Sequence, residues 1–138
     1  MATTVTPLTT QEADAIVAAA NHAAEAAGVA VSVAVLDAGG QLLAFRRNEQ
    51  ALLISGETSR AKAYTSVQLS TPTADLAGAV TPGAPFHTLQ TALDRPLIFI
   101  AGGIPLFRDG RLIGAVGVGG GSPEQDHDFA TAGAGTLA

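Results

Sequence analysis

RDGRLIGAVGVGGGSPEQD, residues 108–126, carries six of the chain's sixteen glycines around a short apolar run, and its reading decides the fold. A P-loop needs its paired glycines followed by Lys and Ser/Thr, because the lysine supplies charge and the hydroxyl holds the metal. Gly114 and Gly119 have that separation, but Gly120 and Gly121 stand where Lys and Ser/Thr belong. The dinucleotide spacing fails too: after Gly117 and Gly119 the third position is Ser122, and no acidic residue follows at about twenty positions on. The stretch reads instead as a strand that leaves an Asp109-Gly110 hairpin turn and ends in a glycine joint. Ser122-Pro123-Glu124-Gln125 then opens a helix, with an N-cap, a proline at the first helical position and a capping-box glutamine.

Upstream, Thr9 and Glu12 have capping-box spacing. Ala13, Ile16, Val17, Ala20, Ala23, Ala24 and Ala27 recur at helical intervals until Gly28, which suits a left-handed cap. GVAVSVAVLDAGGQLLAFRR predicts a hairpin: a strand over 29–36, a turn over Asp37 to Gly40 and a strand near 41–47. Residues 56–69 hold good helix formers without a breaker. Pro72, Pro82, Gly83 and Pro85 make 70–92 a loop with one short helix around 74–79. Two strands are expected at 96–101 and 103–108 around Gly102-Gly103, and a last one at about 111–118. The order helix, hairpin, helix, loop, three strands, helix predicts one α+β domain over 1–138 with a five-stranded antiparallel sheet.

The 138 residues are enough to bury about two thirds of the unfolded surface without a staple. There is no cysteine, which excludes disulfides and thiolate chemistry. Seven basic against twelve acidic residues give a net charge of −5, and the basic ones are scattered, so nucleic acid is excluded as a partner. No basic region followed by an apolar core opens the chain, and no run reaches the roughly 18 apolar residues of a membrane span. A soluble, cytoplasmic protein is expected.

Three histidines are the first acid, base or ligand candidates. His22 falls opposite the apolar stripe of its helix and reads as solvated. His127 sits just inside the last helix between Asp126 and Asp128, at its positive end. His87 lies in the Pro/Gly-bounded loop, where no core periodicity explains it and binding residues concentrate. Asp37 has the place of a turn aspartate. Lys62 on spacing alone is a solvated helix residue, with an anion clamp as the other reading. No metal-spacing motif or nucleophile elbow is present, so no metal site is expected.

Together VLDAGGQLLAF (35–45), SRAKAYT (59–65), AGGIPL (101–106), DGRLIGAVGVGGG (109–121) and EQD (124–126) resemble the GlcG/HbpS-like family, also described as haem-degrading or as the C-terminal domain of PduO. The resemblance runs over nearly the whole chain. It implies a profilin-like three-layer α/β/α fold and assembly into a homo-oligomer, a dimer or larger. Asp37, Arg47, Lys62, Gly102, Gly103, Gly114, Gly117 and Asp126 match the family pattern. Asn48-Glu49-Gln50, His87 and His127 depart from it, the last two adding titratable imidazoles. The leading expectation is a small-ligand domain, in its most concrete form a non-covalent haem or tetrapyrrole binder with His87 or His127 as axial ligand. The alternative is a cofactor-free isomerase, lyase or cyclase acting on a small oxygenated acid or ketone. In it His87 is the general acid or base, Asp37 and His127 are further candidates, and Lys62 or Arg60 holds an anionic group.

Overall fold

The computed structural model describes residues 4–137. Helix α1 (Thr10–Ala26) is followed by the hairpin β1 (Ser32–Asp37) and β2 (Leu42–Arg47), then α2 (Ser55–Leu69). A looped stretch with three short 3-10 turns leads to β3 (Gly103–Arg108), β4 (Arg111–Gly119) and α3 (Pro123–Ala134). The fold is α+β, with one antiparallel sheet in the order β2-β1-β4-β3. No helix of the described residues is long and apolar enough to cross a membrane.

The local signals act where their chemistry places them. Thr9 and Glu12 close a capping box on α1, with Glu12 N–H donating to Thr9 Oγ1 at 3.1 Å and Thr9 N–H to Glu12 Oε1 at 3.0 Å. Gly28 at φ 71° ends the helix as Gly28 N–H donates to Glu25 O and Val29 N–H to Ala24 O, a Schellman arrangement. Ser122 and Gln125 cap α3 in the same reciprocal way behind Pro123. Asp109 (φ 52°) and Gly110 (φ 76°) form the tight turn between β3 and β4. Arg108 pairs with Glu12 at 2.7 Å and also reaches Thr6 O, which ties the start of α1 to β3. The Arg108 hydrogen bond holds the Glu12 carboxyl at about 2.

Strand alternation sorts the core into two layers. Val33, Val35, Val116 and Val118 face Ile16 and Ala20 of α1 and Phe129 and Ala130 of α3. On the other face Leu36 and Ala115 meet Ala63 and Val67 of α2. That second face is made of small residues: Ser32 pairs with Gly119, Ala34 with Gly117, and Gly103 with Gly117. A Cβ on Gly117 would run into Ser59 O and Ala63 N, and one on Gly119 into Thr58 Oγ1. The glycines of the opening stretch therefore let α2 lie directly on the sheet backbone.

The sheet has four strands, not five. Among the described residues, 96–101 form no strand: they bend at 100–101, and side chains meet the backbone polar groups at Leu97 and Ile98 instead. Leu97 N–H donates to Gln90 Oε1 at 2.9 Å, Gln90 Nε2 donates to Leu97 O, and Ile98 N–H donates to Thr65 Oγ1 of α2 at 2.9 Å. A segment held to a helix by side-chain hydrogen bonds offers no ladder to a neighbouring strand.

Candidate functional site

Lys62 projects from the middle of α2 and is only 3% exposed, which corrects the expectation of a solvated helix residue. The reason is the close approach of α2 to the sheet, which leaves the side chain lying over the backbone of Gly102 and Gly103. A Cβ on Gly102 (φ 134°) would sit 2.9 Å from Lys62 Nζ and 2.6 Å from Val118 O, and one on Gly103 would strike Lys62 O. At Gly102 the Val118 carbonyl, the lysine side chain and the positive φ leave no room for a side chain, and at Gly103 the backbone of α2 and Ser66 Oγ do the same.

Lys62 Nζ donates to Val118 O at 2.9 Å and to Asp126 Oδ2 at 2.8 Å. Asp126, in the first turn of α3, is 2% exposed and takes the Gly121 N–H on Oδ1 at 2.8 Å. Burial pushes the Asp126 carboxyl above its ordinary range, against the Lys62 and Gly121 hydrogen bonds that favour the ionised form. The glycine joint thus turns the chain from β4 into α3 and hands its amide to the aspartate. One turn along α2, Ser66 Oγ is buried against Gly103 without a hydrogen-bond partner among the described residues.

Above this pair opens a pit of about 180 Å³ walled by Leu52, Ile54, Ile98 and Ile100. It continues on both sides. Ile54, Thr58 and Ile98 also line a hollow of about 500 Å³ that holds Arg60 and Arg95. Ile100 and Pro123 also line one of about 540 Å³ that holds His127 and Phe99. The three share walls and form one groove, with Arg60, Arg95 and Glu57 at one end, His127, Glu124 and Asp128 at the other, apolar walls between and the ion pair as its floor. Its rim is apolar as well, with Leu52 and Ile54 67% and 64% exposed. His127 lines the groove, and its Nδ1 is buried without a hydrogen-bond partner among the described residues.

Of the residues singled out in the sequence, Arg60, Lys62, Asp126 and His127 meet at this groove, and Gly102 and Gly103 lie directly beneath Lys62. The others lie elsewhere. Asp37 spends Oδ1 on Gly39 N–H and Gln41 N–H, both 2.9 Å, in the β1–β2 turn, and borders a separate hollow with Arg111. His87 is exposed in the loop with Nδ1 3.1 Å from Val80 O, and lines none of these hollows. Arg47 is exposed and donates to Ala51 O at 3.1 Å, closing the turn after β2. His87, Asp37 and Lys62 therefore do not converge, and the acid–base constellation they would have formed is missing.

Arg95, Ile98, Ile100 and the Leu52-Leu53-Ile54 run line the groove or its rim without standing out as site residues in the sequence. The run did carry a signal: three consecutive large apolar residues between a strand and a helix fit neither period. Arg95 carried none, since the guanidinium stacks 3.5 Å from the centre of the Tyr64 ring across a loop.

A family model described as "Haem degrading protein HbpS-like" matches residues 8–135. The corrinoid adenosyltransferase PduO of Citrobacter freundii is 38% identical over 123 residues, 89% of this chain and 37% of that protein, so the chain spans little more than a third of that relative. The crystal structure of a PduOC:heme complex superposes with a TM-score of 0.91 at 36% identity, covering 96% of each chain. A double mutant of HbpS from Streptomyces reticuli superposes at 0.86 with 35% identity, covering 99% of this chain and 91% of that one. With the match running across both helical layers and all four strands, the chain belongs to the GlcG/HbpS-like family.

Proposed function

We propose that this protein is a small-ligand domain that binds haem non-covalently in the groove running from Arg60 past the Lys62–Asp126 floor to His127. The observation that carries the reading is the groove's own chemistry: two guanidinium groups with one carboxylate, Glu57, at one end, an imidazole with Glu124 and Asp128 at the other, and isoleucine and leucine walls between. A tetrapyrrole has the matching parts, with two carboxylates on one edge, apolar faces, and a metal that imidazole ligates. The two hollows that flank the pit, about 500 and 540 Å³, have volumes typical of small-ligand sites, about 300–1,000 Å³. The haem complex of the relative PduOC supports the same ligand class.

In this arrangement Arg60 and Arg95 hold the carboxylates through charge-assisted bonds. Leu52, Ile54, Ile98 and Ile100 exclude water from the faces, and His127 is the axial candidate within the groove. Bound haem would supply an iron centre open to redox and ligand chemistry. Lys62 and Asp126 neutralise each other under it, so the floor presents no net charge. Gly102 and Gly103 keep Lys62 low enough to leave the pit open. A homo-oligomer is part of the same proposal, supported by the apolar side chains left exposed at Leu53 and Phe107.

The test is a haemin titration followed through the Soret band. The wild type should give a saturable change that is altered in His127→Ala and weakened in Arg60→Ala, while His87→Ala titrates like the wild type. A spectrum with no saturable change removes the haem reading. One that changes only in His87→Ala moves the site to the loop.

A further inference from the structure

Lys62 is the chain's single lysine, all six other basic residues being arginine. It is the one side-chain amine in the protein, and the fold buries it beside a buried carboxylate at the bottom of a small apolar pit. We propose that Lys62 takes up a small aliphatic aldehyde as a reversible imine in this pit, with Asp126 as the proton carrier. The proposal goes beyond haem binding and does not require haem.

Three features of the pit support the assignment. First, lysine is the basic residue whose nitrogen becomes a nucleophile once a proton is removed, and desolvated lysines serve as imine formers for that reason. Second, Asp126 Oδ2 stands 2.8 Å from Nζ, within direct proton-transfer distance, and its Oδ1 is fixed by the Gly121 amide so that it cannot swing away. In low-dielectric surroundings the neutral amine and neutral acid cost less, relative to the ion pair, than they do in water. Third, the pit measures about 180 Å³ and is walled by leucine and isoleucine. The pit is the narrow floor of the groove, smaller than the hollows of about 500 and 540 Å³ on either side, so a short apolar chain with one reactive end reaches Nζ while a larger ligand lies above it.

The step balances without an oxidant or reductant. Asp126 takes one proton from the Lys62 ammonium, and the freed nitrogen pair forms a bond to the carbonyl carbon as the C=O π pair moves to oxygen. A proton passes from nitrogen to that oxygen, giving a carbinolamine. Asp126 then returns its proton to the hydroxyl, which leaves as water while the nitrogen pair closes the C=N bond. The product is a protonated imine facing the Asp126 carboxylate, and water reverses every stage. The charge of the pocket is the same before and after.

The test uses the haem-free full chain with butanal and sodium cyanoborohydride at pH 7, read by intact mass and peptide mapping, with 2-naphthaldehyde as a bulky comparison and urea-unfolded protein as reference. In the unfolded chain an ordinary lysine is neutral in only about one molecule in a few thousand at this pH, which sets a slow baseline. The folded protein should gain one butyl group at Lys62 at least about tenfold faster than that baseline. The naphthyl reagent should leave Lys62 unmodified and react only at the N-terminal amine. Three results overturn the proposal: Lys62 unmodified by butanal while the N-terminal amine reacts, Lys62 modified no faster than in the unfolded chain, or equal modification by both aldehydes, which would report local opening rather than a pit.

Discussion

Lys62 and Asp126 are 64 positions apart in the chain, and each is buried because the other is there. Two charges taken out of water lose several kcal/mol of hydration each, and only close pairing with further hydrogen bonds offsets it. Here Val118 O and the Gly121 amide supply those bonds. The sign of two substitutions follows. Asp126→Asn keeps an acceptor for Gly121 but leaves the Lys62 ammonium buried without its counter-charge, and should lower unfolding stability by about 3–5 kcal/mol. Adding Lys62→Met removes the stranded charge for a side chain of similar length, so the double variant should recover at least about 1 kcal/mol of that loss. Urea unfolding of the wild type, the two single variants and the double variant measures the coupling. Stabilities that simply add would mean the pair is not the unit described.

At the scale of elements, α2 owes its place to what the facing strands lack. Gly103, Gly117 and Gly119 leave no Cβ layer under it, so Ser59, Lys62 and Ala63 approach backbone atoms directly. This closeness buries Lys62 and sets the depth of the pit. Gly117→Ala has no soft neighbour to push aside, since the added methyl meets Ser59 O and Ala63 N, both backbone. It should cost about 1–3 kcal/mol by overpacking, with α2 displaced from β4. Gly110→Ala supplies the contrast: nothing lies within 4 Å of its Cβ, and any loss there comes from φ 76° alone. Comparing thermal unfolding and amide exchange of α2 in the two variants separates packing from backbone strain. Faster exchange in α2 for Gly110→Ala but not for Gly117→Ala would contradict this account.

For the whole molecule, the large apolar side chains left uncovered lie on more than one element: Leu42 and Phe45 on the edge strand β2, Phe107 on the opposite edge strand β3, and Leu53, 84% exposed, beside the groove. A chain with mean hydropathy +0.32 has few charges to separate copies of such surfaces. Light scattering at micromolar concentration should therefore give a multiple of 13.7 kDa, and Leu53→Asp should reduce it; the monomer mass for the wild type would dismiss the homo-oligomer. The sequence by itself determined the two helices with reciprocal caps and the two hairpins with their turns over Asp37 to Gly40 and at Asp109-Gly110, because those depend on neighbours within a few positions. It also singled out His127, Arg60 and Asp126 as candidates. Only the tertiary structure decided that 96–101 is not a strand, that Lys62 is buried, and that His87 stands apart from the groove. The first two turn on partners distant in the chain, Thr65 for Ile98 and Asp126 for Lys62, whereas His87 meets Val80 O of its own loop instead of the groove. Local periodicity carries no information about a hydrogen bond closed across 33 or 64 residues, and in this protein such contacts build the site.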